Sequence, residues 1–259
     1  MKKFLQISFI KESINLTQDI TVGASDFSDA TYNVRRAVIR TLNAQINGNG
    51  HKIIINGKDA GGAWLEGIAF IDTISETGAL RNLIIEASLG ESGADQGVAY
   101  SQIGVAAITN KGTIADCYFK AQVYAWDDVG DWAILAAGRS TGAVVYNEGT
   151  MKNIVSDIDL DMDMCPSYSE NYGDQTDSWQ QFAFAVFNTG KVENCLAVGG
   201  LNGNKPYWMT SALEGVEALK PVIGNKNFAD ENRTNSYVFE TYDALLAGNA
   251  KGDSRQPRR

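Results

Sequence analysis

Hydrophobic and polar positions along the chain follow one short pattern that returns several times. Two apolar or aromatic residues lead to Asn, any residue, Gly, any residue, an apolar residue, any residue, Asn or Asp, and an apolar residue. Three copies centre on Asn110-Lys111-Gly112-Thr113-Ile114-Ala115-Asp116-Cys117, Asn147-Glu148-Gly149-Thr150-Met151-Lys152-Asn153-Ile154 and Asn188-Thr189-Gly190-Lys191-Val192-Glu193-Asn194-Cys195. An earlier copy, Gly78-Ala79-Leu80-Arg81-Asn82-Leu83, lacks only the leading Asn. Apolar–turn–apolar units at near-even spacing predict a solenoid, in which each copy buries its face only against its neighbours. Beyond the turn the alternation has period two, the mark of a strand with one face buried. Aligning the copies stacks Cys117, Phe119, Ala121 and Val123 on Ile154, Ser156, Ile158 and Leu160. The same rows take in Leu83, Ile85, Ala87 and Leu89 on one side, and Cys195, Ala197, Gly199 and Leu201 on the other.

The asparagines have their own logic. Asn both donates and accepts hydrogen bonds through its side chain and tolerates left-handed backbone geometry. Asn110, Asn147 and Asn188 are expected to form one ladder along the stack, and Asn82, Asp116, Asn153 and Asn194 a second. Glycines of the four copies fall at 78, 112, 149 and 190, so the period lengthens along the chain. A fixed rung with variable insertions explains this, the insertions being Ser88–Gln102, Tyr124–Thr141 and Asp163–Gln180.

Outside the repeats the pattern predicts ends and caps. The run from Met1 to Ile10 is interrupted by Gln6 and closed by Lys11-Glu12, with no small-residue cleavage site. It reads as an opening strand of mature sequence. Ile14 to Val22 reads as a strand. Val34, Ala37, Val38 and Leu42 lie at helical spacing behind Ser28 or Asp29 as N-cap, so 29–42 is expected to form a helix covering the solenoid end. In Ile46 to Gly57, two glycine turns bracket an apolar strand. Ser211 to Lys220 and Tyr242 to Leu246 read as short helices, and Pro221 to Phe239 as a last, irregular rung. One domain of 259 residues follows: strand and capping helix over 1–45, regular rungs over 46–201, irregular rung and cap over 202–250, and a basic tail over 251–259.

Composition narrows the class. Of the chain, 44% is apolar, enough for a continuous core, and only 4 residues are proline. A net charge of −9, concentrated between Glu86 and Asp177, excludes nucleic acid as the expected partner, since that requires clustered Lys and Arg. No segment reaches the length of a membrane-spanning helix. Cys117, Cys165 and Cys195 lack metal spacing; Cys117 and Cys195 occupy the slot of Ile154 and Leu83, so they are expected to be buried thiols. With Ile154 between them, the two should lie about 10 Å apart, beyond disulfide reach.

Two resemblances add to this. Ile46-Asn47-Gly48-Asn49-Gly50 leading into Ile53-Ile54-Ile55 resembles the first coil of the pectate-lyase-like right-handed β-helix proteins. Gly142-Ala143-Val144-Val145-Tyr146-Asn147-Glu148-Gly149-Thr150-Met151-Lys152-Asn153 resembles the GLUG-like repeats of bacterial and phage surface proteins, and the likeness covers roughly half the chain. Several leading glycines of that unit are replaced here by Ala or Phe. The resemblance implies a β-solenoid and no particular reaction. The expected fold is therefore all-β, a single right-handed parallel β-helix of about six or seven rungs with short helical caps.

Candidate chemistry sits in the insertions. Trp126, Asp127, Asp128, Asp131 and Trp132 place carboxylates between two indoles, and Tyr168 and Trp179 lie in the next insertion. Aromatic faces stack on sugar rings and carboxylates accept hydroxyl hydrogen bonds; the alternative is that the rings anchor the loops and the acids are solvated. Asp157, Asp159, Asp161 and Asp163 form the outer face of one strand, an arrangement that discourages edge pairing more readily than it binds calcium. His51, the only histidine, lies in a turn and is expected to be structural. Glycosidases require paired carboxylates about 5–9.5 Å apart, but the Asn-Thr-Asp, Gly-His-Gly and Arg-Ile-Lys motifs of polygalacturonases are absent, and of the pectate-lyase pattern only Arg139 is a candidate. No catalytic residue, metal or cofactor is assigned. The expectation is a non-enzymatic virion or cell-surface protein presenting loops to a cell-surface glycan or to other surface proteins. No membrane insertion is expected; a homo-oligomer is compatible, a trimer if it is spike-like. A polysaccharide lyase or hydrolase, and an inert spacer, are the alternatives.

Overall fold

The computed structural model describes residues 7–27, 35–58, 65–90, 100–124, 140–161, 180–181, 184–199, 233–234 and 237–239. The strands form two walls, and each pairs only with strands one coil away in its own wall, always in parallel. The first wall runs β1 (Ile7–Ile10), β4 (Arg36–Leu42), β7 (Leu65–Ile74), β9 (Tyr100–Asn110) and β11 (Ser140–Asn147); β13 (Gln180–Gln181) and β14 (Ala185–Asn188) both follow β11. In the second wall, β8 (Ala79–Gly90), β10 (Thr113–Tyr124) and β12 (Thr150–Asp161) form the centre. Before β8, the pair β2 (Ile14–Asn15) and β3 (Ile20–Gly23) lies beneath β5 (Gln45–Asn47) and β6 (Lys52–Lys58). After β12 come β15 (Lys191–Glu193) and β16 (Leu196–Gly199), then β17 (Arg233–Thr234) and β18 (Tyr237–Phe239). A single 3-10 turn occupies Ala24–Asp26. The protein is an all-β parallel β-solenoid.

One backbone device shapes the second wall. Asn82, Asp116, Asn153 and Asn194 all adopt left-handed geometry, with φ of 49°, 56°, 52° and 52°. A left-handed residue turns two consecutive side chains outward. Leu80 and Leu83, or Met151 and Ile154, are therefore buried three residues apart instead of two, and alternation resumes behind them. Asn and Asp are the non-glycine residues that bear this conformation at least cost. This corner accordingly fixes which residue of each repeat is Asn or Asp.

Behind the corner the register is continuous. Cys117, Phe119, Ala121 and Val123 pair with Ile154, Ser156, Ile158 and Leu160 on one side and with Leu83, Ile85, Ala87 and Leu89 on the other. Farther on, Ser156 pairs with Ala197 and Ile158 with Gly199. These rows face Ile71, Ala107, Val144 and Ala185 of the first wall in one apolar cluster. Each fully buried Ile, Leu or Phe contributes about 1.5–3 kcal/mol relative to exposure, so the core is distributed evenly along the axis. Cys117 and Cys195 are buried and both remain thiols.

The repeat glycines serve close approach. A Cβ on Gly149 would collide with the carbonyl oxygen of Gly112, and one on Gly112 with that of Gly78. At this turn consecutive coils pass backbone to backbone, which is why the pattern demands Gly two residues after Asn.

Several expectations are corrected. Residues 36–42 form β4, not a helix: Arg36–Leu42 pairs on both sides, with β1 and β7, and β-branched Val38, Ile39 and Thr41 favour the extended form. Ser28, Asp29 and Val34 lie outside the described residues. The Ile14–Val22 strand is broken into β2 and β3. Gly57 lies inside β6, where its missing Cβ makes room for Phe27 and Leu89. About three turns are complete and regular, fewer than six or seven. They are those of β7–β8, β9–β10 and β11–β12; on either flank the second wall divides into short pairs such as β2 with β3 and β15 with β16. The first two insertions are shorter than expected, because β8 continues to Gly90 and strands resume at Tyr100 and Ser140; the third keeps its length and is shifted by one residue, to 162–179. The helices expected at Ser211–Lys220 and Tyr242–Leu246 lie outside the described residues.

Candidate functional site

Each complete coil has three corners. The turn at Lys111–Gly112 and its equivalents is tight, held by bonds such as Glu148 N–H and Gly149 N–H to the Asn110 carbonyl, at 2.8 and 2.9 Å. The left-handed corner takes one residue. At these two corners lengths differ only slightly, as in the turn 75–78 standing opposite 111–112. Most variation in length therefore falls at the third corner, where the chain leaves the second wall and returns to the first. Its departure points Lys58, Gly90, Tyr124 and Asp161 are successive register partners. So are its return points Gly67, Gln102, Ser140 and Gln180. The connections there lengthen steadily, spanning 6, 9, 15 and 18 residues (59–64, 91–99, 125–139 and 162–179). Trp126, Asp127, Asp128, Asp131 and Trp132 fall in the third of these and Tyr168 and Trp179 in the fourth. All seven lie outside the described residues.

Two asparagine rows run along the axis with opposite character. Inside, Asn110 donates to Asn147 at 2.7 Å and Asn147 to Asn188 at 2.6 Å, and all three are buried. This row begins at an unmet acceptor, Asn110 Oδ1, because Ile74 occupies the equivalent place in the preceding coil. Outside, at the left-handed corner, Asn194 donates to Asn153 at 3.3 Å and Asn153 to Asp116 at 2.8 Å. Nearer the N-terminus Asn82 donates to Asn47, and Asn47 to Asn15, each at 3.1 Å. An open groove of about 510 Å³ lies between these two runs, lined by Asn49, Gly50, Asn82, Leu83, Ile84, Asp116, Cys117 and Tyr118. Burial pushes the Cys117 thiol at its floor up to about 12, so it stays protonated and is no nucleophile.

The outer face of the first wall carries a polar cluster that sequence reasoning missed. Arg35 and Arg40 approach Asp72 at 3.5 and 3.9 Å. The Arg35 guanidinium lies 5.9 Å from the centre of the Tyr146 ring, and the Tyr146 hydroxyl accepts from Gln102 at 2.9 Å. Beneath them Ala69, Ile108 and Val145 form a small buried cluster against which Tyr146 packs. Gln102 and Tyr146 are 44 residues apart in sequence and Arg35 and Tyr146 farther still, and only the coil register brings them together. A corresponding signal was present in the repeat alignment, since Tyr146 and Thr109 share one row.

His51 lies 3.3 Å from Asp19, whose carboxylate also accepts the Lys52 N–H at 3.0 Å. That backbone bond, helped by His51, holds Asp19 below the usual carboxylate range. Lys52 reaches Glu86 at 2.6 Å, which raises its ammonium above the ordinary lysine value. These are coil-to-coil ties of a surface row. Asp157 and Asp159 face outward beside Lys120 and Gln122, and the Tyr118 hydroxyl donates to Asp157 at 3.2 Å. Among the described residues no three His, Cys, Asp or Glu side chains gather as a metal would require. No helix among them is long and apolar enough to cross a membrane. Comparison with known proteins brings no match: no family model, no curated protein and no solved structure is similar to the chain.

Proposed function

We propose that the protein is a non-enzymatic surface or virion component whose solenoid presents the third-corner connections for attachment to a cell-surface glycan or a surface protein. The observation that carries this reading is the placement of the large length changes, from 6 to 18 residues, at one corner, while the other two differ by only a residue or two from coil to coil. A rigid parallel stack with variable loops along a single edge is a scaffold for display, because loops rooted on a fixed wall tolerate insertion and supply recognition. The two indoles and three carboxylates of 125–139 supply stacking faces and hydroxyl acceptors. The likeness of the repeat to GLUG-like units, and of the first coil to pectate-lyase-like right-handed β-helices, supports the same placement on phage or bacterial surfaces.

The test has two arms. Immobilised glycans and host-surface preparations are probed with the intact chain and with a Trp126→Ala, Trp132→Ala double variant. The proposal expects binding that the double variant loses, with little change in its thermal midpoint. In the second arm the chain is incubated with acidic polysaccharides, and no new reducing or unsaturated ends should appear. Release of such ends would replace attachment with lyase or hydrolase action. A collapse of stability in the double variant would assign the indoles to the scaffold.

A further inference from the structure

The outer ladder contains a fault, and the fault faces the groove. Every Asn of that row donates toward the N-terminus: Asn194 to Asn153, Asn153 to Asp116, Asn82 to Asn47, Asn47 to Asn15. Asp116 stands in register beside Asn82, between the pairs Ala115–Arg81 and Cys117–Leu83. As a carboxylate it has no donor to offer. Its Oδ1 takes the bond from Asn153, and no hydrogen bond joins Asp116 to Asn82. The orientation of Asn82 is fixed in turn. Asn47 Oδ1 accepts both the Asn49 N–H, at 3.2 Å, and Asn82 Nδ2. Turning the Asn82 amide over would bring two carbonyl oxygens together there. Asn82 Nδ2 is therefore committed to Asn47, and on the Asp116 side of the row both register neighbours, Asn82 Oδ1 and the carboxylate, have acceptors only to offer. Arg81, next in the row, makes no ion pair with Asp116 among the described residues.

We infer that this gap is a receptor for a basic side chain, arginine or lysine, offered by a partner protein. A guanidinium or ammonium supplies the missing donors to both oxygens at once and neutralises the carboxylate. The remainder of the lining suits the stem of such a side chain, since Leu83 and Ile84 are apolar and Tyr118 is aromatic. A bare metal ion is served less well, since calcium takes six to eight oxygens and Asp116 is the one carboxylate among the lining residues. Charge agrees with a cationic partner, because residues 59–199 hold 20 acidic against 6 basic residues. An Asn at 116 would complete the ladder, so Asp here trades internal satisfaction for an unfilled acceptor pair, as binding sites commonly do. This inference does not depend on the third-corner loops.

The experiment follows side-chain and backbone amides by NMR in the full chain during titration with acetyl-arginine amide. Parallel titrations use acetyl-citrulline amide, its uncharged counterpart, and calcium chloride. The arginine compound should give saturable shifts at the Asn82 side-chain amide and at the Leu83, Asp116 and Cys117 backbone amides. Citrulline should bind at least tenfold more weakly, and added salt should weaken the arginine response. Asp116→Asn should abolish the response while raising the unfolding midpoint, because it restores a donor facing Asn82. An equal response to citrulline, a response confined to calcium, no saturable shift at all, or an arginine response that survives Asp116→Asn would overturn the inference. So would a fall in the midpoint of Asp116→Asn, which would show that the ladder has no gap to fill.

Discussion

Replacing Asn147 with alanine removes the middle of the buried ladder. Two short side-chain bonds are lost, from Asn110 at 2.7 Å and to Asn188 at 2.6 Å. Each is worth about 1 kcal/mol net, and each orphaned buried partner costs a further 1–3 kcal/mol or so. Asn110 Nδ2 keeps a marginal contact to the Thr150 carbonyl at 3.5 Å, which softens one of those penalties. The expected loss is about 3–5 kcal/mol. Asn153→Ala offers a matched comparison in the exposed row. Its side-chain bonds exchange with water at little cost, so the penalty is mainly that of alanine at a φ of 52°, about 1 kcal/mol. Urea denaturation followed by circular dichroism should rank Asn147→Ala far below Asn153→Ala, with unchanged slopes. If Asn147→Ala costs less than about 1 kcal/mol, or no more than Asn153→Ala, the buried ladder does not carry the weight assigned to it.

Other perturbations test separate parts of the account. Gly149→Ala should destabilise strongly, because the colliding atom is a backbone carbonyl of the preceding coil; denaturation midpoints of Gly149→Ala and the exposed Glu148→Ala separate this from a general turn effect. Ser156→Ala should be neutral or stabilising by up to about 1 kcal/mol, since the buried hydroxyl has no hydrogen-bond partner. Cys117 should resist thiol reagents in the native state and react on unfolding. Its raised value means the unfolded chain loses this proton first as pH rises above the ordinary thiol value of 9.0. Stability should then fall by up to about 1.4 kcal/mol per unit toward pH 12, a slope absent in Cys117→Ala. Asp19 titrates in the opposite sense: its lowered value supplies stability above the unfolded value that is lost as pH falls through the folded one. Asp19→Asn should flatten that acid limb.

The repeat alignment reached far into the structure where a local rule and a long-range one coincide. A left-handed residue that must be Asn or Asp also sets the burial rhythm on both sides, so the rows from Leu83 to Gly199 could be written from sequence. β4 shows the limit. Val34, Ala37, Val38 and Leu42 have helical spacing, and only pairing with β1 and β7, invisible to a single segment, makes residues 36–42 a strand. β9 shows another: it holds one residue more than its neighbours between Gly104 and Ala107, and no periodicity announces that bulge. At the candidate sites, Asp116 was recognised as a ladder member from its spacing. The consequence of its lacking a donor emerged only once the directions of the Asn47 and Asn82 amides were known. The Arg35–Asp72–Tyr146–Gln102 cluster joins four coils and was legible from none of them singly.

The central claim is that one residue of each coil stacks on its counterpart in the next, in parallel, across the whole second wall. Asn56, Ser88, Gln122 and Asp159 form one outward row on four successive coils. Nitroxide labels on cysteines introduced at Asn56 and Asp159, two exposed positions, report that row directly by pulsed electron spin resonance. With neighbouring strands about 4.7–4.9 Å apart, the account predicts label-bearing Cα atoms about 14–15 Å apart and one narrow distribution. A principal distance beyond about 25 Å would require that coils be missing from, or inserted into, that row, and would contradict the solenoid register.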